Sequence, residues 1–215
     1  MSIVIAIDGP AASGKGTLAR RLAEKLGFAW LDTGLIYRAV GMGVVRQGGD
    51  PADPALAIPA AKALDFAALM DDSSLRTDEA GQAASKCSAI PEVRAALLDF
   101  QRSFARTPPN GKKGAVLDGR DIGTVICPDA PLKIYVTASA KVRAERRQKE
   151  LAGRGQSLPF EAVLEDIRAR DARDMNRPIA PLKPAPESVI LDTSQLGVKQ
   201  AFSAALTIAK ERLGL

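Results

Sequence analysis

Near its start the chain joins an apolar run, a glycine-rich turn and a helical pattern, in that order. The run covers residues 3–7, the turn GPAASGKGT covers residues 9–17, and helical periodicity extends over residues 15–26, with Gly27 suited to a C-terminal cap. Such a turn between strand and helix directs backbone N–H groups and the positive end of a helix dipole at one anion. The sequence therefore predicts an α/β fold that binds a nucleoside polyphosphate.

The turn matches the pattern G-x-x-x-x-G-K, in which Lys15 supplies a charge for the outer phosphates. Gly16 follows this lysine, and the hydroxyl group comes one place later, at Thr17. A glycine there leaves room for close backbone approach. A chance glycine-rich turn is the alternative interpretation, but the flanking strand and helix favour a nucleotide site. We expect ATP to contact Gly9, Pro10, Ala11, Ala12, Ser13, Gly14, Lys15, Gly16 and Thr17.

Further apolar runs of strand length follow along the chain. They cover residues 28–31, 115–117, 132–136 and 188–191, and helix-forming stretches separate them. Strands that alternate with helices favour a parallel, doubly wound sheet. The predicted fold is a three-layer α/β/α domain with a five-stranded parallel sheet.

Two long intervals interrupt this alternation. Residues 42–114 are rich in alanine at helical spacing and predict an inserted, helical subdomain, in which Pro91 begins a helix that residues 107–111 end. The second interval holds two charged helical stretches around a hinge-like Gly153-Arg154-Gly155, which predicts a short lid at about residues 148–160. The core would then comprise residues 1–41 and 115–215.

Composition excludes several classes of function. The chain has 215 residues, 46% of them hydrophobic, which is enough for a buried core. Its net charge is +5, but the basic residues are interspersed with acidic ones and aromatic residues make up 4%, which favours small anions over nucleic acid. The absence of histidine excludes histidine acid catalysis and most transition-metal sites, and Cys87 and Cys127 lack metal-ligand spacing.

The first apolar run is short, because Asp8 interrupts it. It is too short for a signal peptide or a membrane span. We therefore expect a cytoplasmic protein without a membrane partner, and we expect a monomer.

Two polar segments follow predicted strands. In the segment DTGLIYR, residues 32–38, Thr33 is able to cap a helix and Arg38 lies about one turn further on. In DGRDIGT, residues 118–124, Asp118 stands where a carboxylate often lies near a metal ion, and Arg120 could bridge two phosphates. Ligands of open α/β sheets bind at this edge, so these segments predict a second anion site; a capped helix with a solvated arginine is the alternative.

Charged helical faces complete the candidate site. Arg170, Asp174 and Arg177 share one face of a predicted helix. Arg143, Arg146 and Arg147 share a face of the preceding helix and suit a lid that closes over a phosphoryl group. Ion pairs on solvated faces would produce the same patterns.

Over essentially its whole length the chain resembles the bacterial cytidylate kinases, which are nucleoside monophosphate kinases. The resemblance is carried, in order, by GPAASGKGT, LDTGLIYR, AASKCSAIPEVRAALLDFQRSFA, LDGRDIGTVICPDAPLKIYV and RDARDMNRPIAPL. It implies transfer of the γ-phosphoryl group of ATP to CMP or dCMP in pyrimidine nucleotide metabolism, with Mg²⁺ bound alongside ATP. The interval from Leu64 to Ser85 looks shortened relative to many members of the family.

The resemblance also implies residue roles. Arg38, Arg120 and Arg177 would clamp the monophosphate, with Thr33 nearby. Ser85, Arg94 and Asp121 would read the base, and Arg170 and Asp174 would hold the sugar. The catalytic residues would be Lys15, Arg120 and Arg147.

The base assignment has a chemical basis. The pairing edge of cytosine offers an amine that a carboxylate, Asp121, can accept, and acceptors to which Arg94 can donate. A kinase for UMP or AMP on the same scaffold is one alternative. Another is a nucleotide-dependent switch or nucleic-acid regulator, although the chain lacks an N-K-x-D element and a basic aromatic stretch.

Overall fold

The computed structural model describes residues 2–66 and 73–214, and within them five parallel strands form one sheet. The strands lie in the order β2-β3-β1-β4-β5, with every neighbouring pair parallel. The predicted five-stranded parallel sheet is confirmed. The strands are β1 (Ile3–Asp8), β2 (Ala29–Asp32), β3 (Gly114–Gly119), β4 (Leu132–Thr137) and β5 (Val189–Asp192).

Eight α-helices occur in the described part of the chain. Short 3₁₀ segments cover Ser73–Arg76 and Pro109–Gly111, and a single π-helical turn covers Ile122–Ile126. The helices are α1 (Lys15–Leu26), α2 (Thr33–Val45), α3 (Pro54–Lys62), α4 (Asp78–Cys87), α5 (Pro91–Arg106), α6 (Ala140–Ala152), α7 (Phe160–Asn176) and α8 (Val198–Leu213).

Alternating side chains of the central strands build a core on each face of the sheet. Ala115 and Leu117 of β3 pack in a cluster with residues of α2, α3, α4 and α5, whereas Val116 packs in a second cluster with residues of α1 and α8. A fully buried side chain of the size of Leu117 or Val116 contributes roughly 1.5–3 kcal/mol of hydrophobic free energy. Helices on both faces give the predicted three-layer arrangement.

The described residues between β2 and β3 form mostly helices, as the alanine-rich pattern predicted. Pro91 lies in the first turn of α5, which ends at Arg106, and the rings of Phe66 and Phe100 stack with centroids 3.8 Å apart. Helices α6 and α7 are separated by residues 153–159, at the predicted Gly153-Arg154-Gly155 break. The boundaries of core, insert and lid remain predictions, and the shortened interval from Leu64 to Ser85 lies partly outside the described residues.

Two glycines give the loop after β1 its shape. Gly9 has φ 154°, and a Cβ atom there would lie 2.0 Å from the carbonyl oxygen of Val136 on β4. Gly14 has φ 88° and is the N-cap of α1, a left-handed position that other residues rarely adopt. The loop can therefore press against β4 and turn directly into the helix.

None of the helices in the described ranges is long and apolar enough to cross a lipid bilayer.

Candidate active site

A cleft of about 970 Å³ opens at the carboxyl edge of the sheet and brings together most of the predicted site residues. Register pairs Asp8 with Gly119 and Asp32 with Asp118, so three strands end side by side beneath it. The cleft is lined by Ala11, Ala12, Ser13, Gly14, Lys15, Gly16, Thr17, Thr33, Arg38, Ser85, Arg94, Arg120, Asp121, Arg147, Arg170, Asp174 and Arg177.

Gly9 and Pro10 belong to the predicted loop but lie outside that lining. Gly9 packs against β4, and the carbonyl oxygen of Pro10 accepts a hydrogen bond from Lys15 Nζ at 3.4 Å. These two residues therefore shape the loop from behind.

The ammonium group of Lys15 is buried among charges of both signs. Burial is the main cause that lowers the pKa of Lys15 to about 7; the charge of Arg120 also lowers it, whereas Asp118 and Asp32 raise it. An incoming polyphosphate would relieve this electrostatic cost, since its negative charge favours the protonated amine.

Asp118 faces the same loop from the end of β3. Its Oδ2 accepts a hydrogen bond from Trp30 Nε1 at 2.8 Å, and a Cβ atom built at Gly16 would lie 3.7 Å from its Oδ1. Burial raises the pKa of Asp118 to about 7, and the neighbouring charge of Asp32 raises it further. Two carboxylates that repel one another beside a phosphate loop fit a divalent cation, which would compensate both charges.

The described residues contain no group of three or more acidic or cysteine side chains that could hold a metal ion by themselves. An ion of the Mg²⁺ type does not require such a group, because it keeps several waters and is bound by one or two protein oxygens together with substrate phosphates.

Thr33 does not cap α2, contrary to the prediction. Asp32 is the N-cap, and its Oδ1 accepts from the backbone N–H of Gly34 at 3.0 Å. The hydroxyl of Thr33 donates instead to the carbonyl oxygen of Asp118 at 2.8 Å. The aspartate wins because it precedes the helix with extended backbone, while Thr33 already has helical geometry. Thr33 thus fastens α2 to the end of β3.

Three guanidinium groups from distant segments meet in the cleft. Arg38 of α2 donates to the carbonyl oxygen of Leu75 at 3.0 Å, and Arg120 Nε lies 2.9 Å from Asp174 Oδ2. Arg177 follows α7, and its Nη2 is buried without a hydrogen bond. Burial lowers the pKa of Arg38 and that of Arg177, which shows how little solvent compensates these charges. An anion placed among them would do so.

Ser88 and Ala180 orient Arg177. Its Nη1 donates to the Ser88 hydroxyl at 3.2 Å, and its Nε donates to the Ala180 carbonyl oxygen at 2.7 Å. Its Nη2 remains directed toward Asp121 Oδ1, at 3.7 Å.

Next to Arg177, Arg94 and Asp121 form a buried ion pair. Their side chains are 8% and 7% exposed, and the Arg94 guanidinium also lies over the ring of Tyr37, 5.3 Å from its centroid. Removing both charges from water costs free energy, and this cost can exceed the attraction between them. The pair therefore does not by itself indicate a stabilising role, and its position suits a site that binds a polar ligand.

Ser85, Asp174 and Arg170 also line the cleft. Ser85 Oγ donates to Asp174 Oδ1 at 2.9 Å. Although burial favours a neutral Asp174, the charges of Arg120 and Arg170 hold its pKa below the usual range. Burial, and then the charge of Arg120, lower the pKa of Arg170 to about 10. Arg170 packs closely on Gly81, where a Cβ atom would lie 2.9 Å from its Nη1.

The three arginines of α6 have different surroundings. Arg143 is buried outside the cleft lining, pairs with Asp171 at 2.5 and 3.0 Å and donates to the carbonyl oxygen of Ala11 at 3.2 Å. Arg146 donates to the carbonyl oxygens of Ser13 and Thr193, at 3.3 and 2.6 Å. Both therefore brace the phosphate loop.

Arg147 is the arginine of α6 that suits the predicted role at a phosphoryl group. It lines the cleft and pairs with Asp78 of α4 at 2.6 Å and with Glu150 at 2.7 Å. Carboxylates on two helices thus hold this guanidinium at the rim.

Several supporting residues were missed by sequence reasoning. Trp30, Ser88, Asp171 and Thr193 contact site residues through hydrogen bonds across long sequence separations, which no local pattern encodes. Asp8 had a signal: it is a charged residue at the end of a run that is otherwise apolar.

Comparisons with known proteins agree with this geometry. A protein-family model described as cytidylate kinase matches residues 5–211. The chain is 64% identical to the cytidylate kinase of Paramagnetospirillum magneticum, over 97% of this chain and 98% of that one. It is 61% identical to that of Rhodospirillum rubrum, over 96% of each, and 55% identical to that of Caulobacter vibrioides, over 98% and 97%.

Two solved structures share the fold at low sequence identity. An uncharacterized protein from Eubacterium ventriosum superposes with a TM-score of 0.57 at 15% identity, covering 98% of this chain and 100% of its own. Shikimate kinase from Bacteroides thetaiotaomicron superposes with a TM-score of 0.52 at 12% identity, covering 99% of each chain.

Proposed function

We infer how the cleft works from one premise, that the chain belongs to the cytidylate kinase family. It transfers the γ-phosphoryl group of ATP to CMP or dCMP, giving CDP or dCDP. The observation that carries the residue assignments is the convergence of Arg38, Arg120 and Arg177 in the same cleft as Lys15.

We propose that residues 9–17 bind the phosphates of ATP. The loop precedes α1, so its backbone N–H groups and the helix dipole favour negative charge there. Lys15 contacts the outer phosphates. Gly9 and Pro10 shape the loop, and the residues from Ala11 to Thr17 contact the nucleotide.

The acceptor phosphate binds among Arg38, Arg120 and Arg177, with Thr33 nearby. Planar guanidinium groups suit phosphate because they donate two parallel hydrogen bonds. Arg120 lies close enough to Lys15 to lower its pKa, so it can bridge the donor and acceptor phosphates.

Asp121, Arg94 and Ser85 read the base, and Arg170 and Asp174 hold the sugar. Asp121 accepts from the exocyclic amine of cytosine, while Arg94 donates to the ring acceptors. Uracil would turn an oxygen toward Asp121 and an N–H toward Arg94, leaving buried polar groups unpaired. A mismatch of that kind discriminates by roughly 10⁴-fold or more.

Mg²⁺ binds together with ATP, and Thr17 and Asp118 are the residues that would hold it. When bound, it neutralises charge on the outer phosphates. The raised pKa of Asp118 supports this role, since a carboxylate beside Asp32 gains from a nearby cation.

The chain's own groups act mainly by position and charge. The arginines bring the acceptor phosphate in line with the γ-phosphoryl group, and no covalent enzyme intermediate forms. No general base is needed, because a phosphate monoester is already largely an anion at neutral pH. Arg147, which immediately precedes the proposed lid at about residues 148–160, contributes positive charge from the rim.

The same reasoning extends to organisation. We propose a core of residues 1–41 and 115–215 and an acceptor-binding insert of residues 42–114. We also propose that the protein is a monomer, because one chain supplies both the phosphate loop and the arginines of the cleft. We propose that it acts in the cytoplasm.

The base assignment is tested by replacing Asp121. We expect Asp121→Ala to lower kcat/KM for CMP by about 10²-fold and to reduce the preference for CMP over UMP by a similar factor, since a charge-assisted hydrogen bond is lost. Asp121→Asn, whose amide can donate to the uracil oxygen, should favour UMP further. The measurement is steady-state kinetics with both acceptors.

Asp129→Asn is the matched control, because this exposed carboxylate follows the same segment in the chain and lies outside the cleft lining. It should behave as wild type. An unchanged CMP to UMP ratio in both Asp121 variants would contradict the assignment.

A further inference from the structure

A buried carboxylate that the proposed chemistry does not use lies at the end of β1, immediately before the phosphate loop. Asp8 is 4% exposed and does not belong to the cleft lining. Its Oδ1 accepts from the backbone N–H of Ile122 at 2.7 Å, and its Oδ2 accepts from that of Gly123 at 2.8 Å. Both oxygens are therefore committed to two consecutive amides.

Those amides follow Asp121 directly. They begin the π-helical turn Ile122–Ile126, and π-helical turns are rare and frequent at functional sites. Asp121 itself has φ −146° and ψ 26°, outside the regular helix and strand regions. Its position thus depends on what fixes the chain on either side.

On one side, Asp121 continues from β3, whose Gly119 pairs in register with Asp8. On the other side, Asp8 fixes the next two amides. The Asp121 carboxylate then reaches Arg94 and lies 3.7 Å from Arg177 Nη2. A rotation of the peptide units at residues 122 and 123 would redirect this carboxylate relative to both guanidinium groups.

Proton transfer is a poor explanation for Asp8. It lies outside the cleft lining, and both of its oxygens accept backbone hydrogen bonds from the turn after β3. A purely structural link between β1 and the turn would also explain the two hydrogen bonds. Loss of such a link would lower stability, whereas loss of a role in recognition would also change the preference for CMP over UMP.

We propose that Asp8 is a positioning residue for base recognition: by holding the amides of Ile122 and Gly123, it sets the direction from which the Asp121 carboxylate meets the cytosine amine. The inference rests on the proposed role of Asp121. It links β1, which leads into the ATP loop, to the segment that selects the acceptor.

Asp8→Asn is the sharpest test, because the amide has the same shape and keeps one acceptor oxygen while turning an NH₂ group toward the second backbone N–H. We expect KM for CMP to rise about 10-fold and the CMP to UMP ratio of kcat/KM to fall about 10-fold, since one charge-assisted bond in a buried site is lost. KM for ATP and kcat with saturating CMP should change by less than about threefold, because the groups around the phosphates stay in place.

Ile208→Ala on α8 is the control for lost stability. Ile208 packs against the cluster on the opposite face of the sheet and lies outside the cleft lining. It should lower the free energy of unfolding and leave both KM values and the CMP to UMP ratio unchanged.

The inference is overturned if Asp8→Asn leaves both KM for CMP and the CMP to UMP ratio of kcat/KM unchanged. It is also overturned if the variant lowers kcat/KM for CMP, UMP and ATP by the same factor. Asp121→Ala separates this failure from that of the proposed function. If Asp121→Ala relaxes base choice and Asp8→Asn does not, only the positioning role is wrong; if neither does, the base assignment itself fails.

Discussion

The buried carboxylate of Asp121 faces two guanidinium groups, those of Arg94 and Arg177. Asp174 similarly faces Arg120 and accepts from Ser85. Without substrate, these ion pairs neutralise charges that would otherwise be isolated from water, and a nucleotide would exchange some of them for contacts of its own. The site therefore keeps its arginines oriented, at a cost in desolvation that a hydrophobic core would avoid.

Asp8 illustrates that cost. Burial raises the pKa of Asp8 to about 6, although its two backbone hydrogen bonds lower it. The charge of Asp121 raises the pKa of Asp8 further, whereas the charge of Lys15 lowers it. Burial also raises the pKa of Tyr135, and it raises the pKa of Cys127 to about 11. Tyr135 and Cys127 are therefore neutral near pH 7. Relative to the unfolded chain, the folded state thus favours the neutral Asp8 carboxyl, although near pH 7 Asp8 is mostly a carboxylate.

A pH dependence of stability follows. A carboxyl group whose pKa is higher in the folded state stabilises fully below its unfolded pKa of 3.8, and this contribution is lost as the pH rises through about 6. We expect the free energy of unfolding of wild type, relative to Asp8→Asn, to fall between about pH 4 and pH 7. Urea denaturation across this range measures it, and a difference that is flat or grows with pH would contradict the raised pKa.

At the residue scale, sequence reasoning predicted which residues gather and missed how they are held. Lys15, Arg38 and Arg120 follow strand ends, and parallel strands end at one edge, so their convergence could be predicted. The direction of Arg143 could not, because its partners Asp171 and Ala11 lie 28 and 132 residues away.

At the scale of elements, helix α6 connects the phosphate loop with the acceptor side. Arg143 and Arg146 donate to carbonyl oxygens of the loop, whereas Arg147 reaches Asp78 on α4. A displacement of α6 would therefore shift contacts both at the phosphate loop and at α4.

Variants of Arg147 and Asp78 distinguish a catalytic role of Arg147 from a role in joining α6 to α4. We expect Arg147→Ala to lower kcat by about 10–100-fold, because a positive charge near the transferred group is lost. Asp78→Ala should keep kcat within about threefold, since Glu150 still holds Arg147 and a partly exposed ion pair contributes little. Steady-state kinetics measures both. Equal losses in the two variants would mean that Arg147 acts by joining α6 to α4.

Element boundaries were predictable where a single residue type dictates them. Pro91 starts α5, and Gly27 ends α1 in a left-handed conformation. The start of α2 was mispredicted, because Asp32 and Thr33 are both good capping residues. The choice between them depends on where the extended backbone ends: Asp32 is still extended, whereas Thr33 already has helical geometry.

At the scale of the whole molecule, the strand order places β1 between β3 and β4. The loop after β1 and the segment after β3 therefore lie next to each other, and α2 and α7 add arginines from either side. The alternation of strands and helices predicted a parallel sheet. It did not predict this order, which depends on how each crossover covers its face of the sheet.

The central claim is that one cleft holds ATP and a cytosine nucleotide side by side for direct transfer. The most direct measurement is initial-rate phosphorylation by the purified protein, with ATP and Mg²⁺, of CMP, dCMP, UMP, AMP and GMP in parallel. We predict rapid formation of CDP and dCDP, with kcat/KM for UMP and for either purine lower by at least about 10²-fold. A purine or UMP as the preferred acceptor would contradict the account.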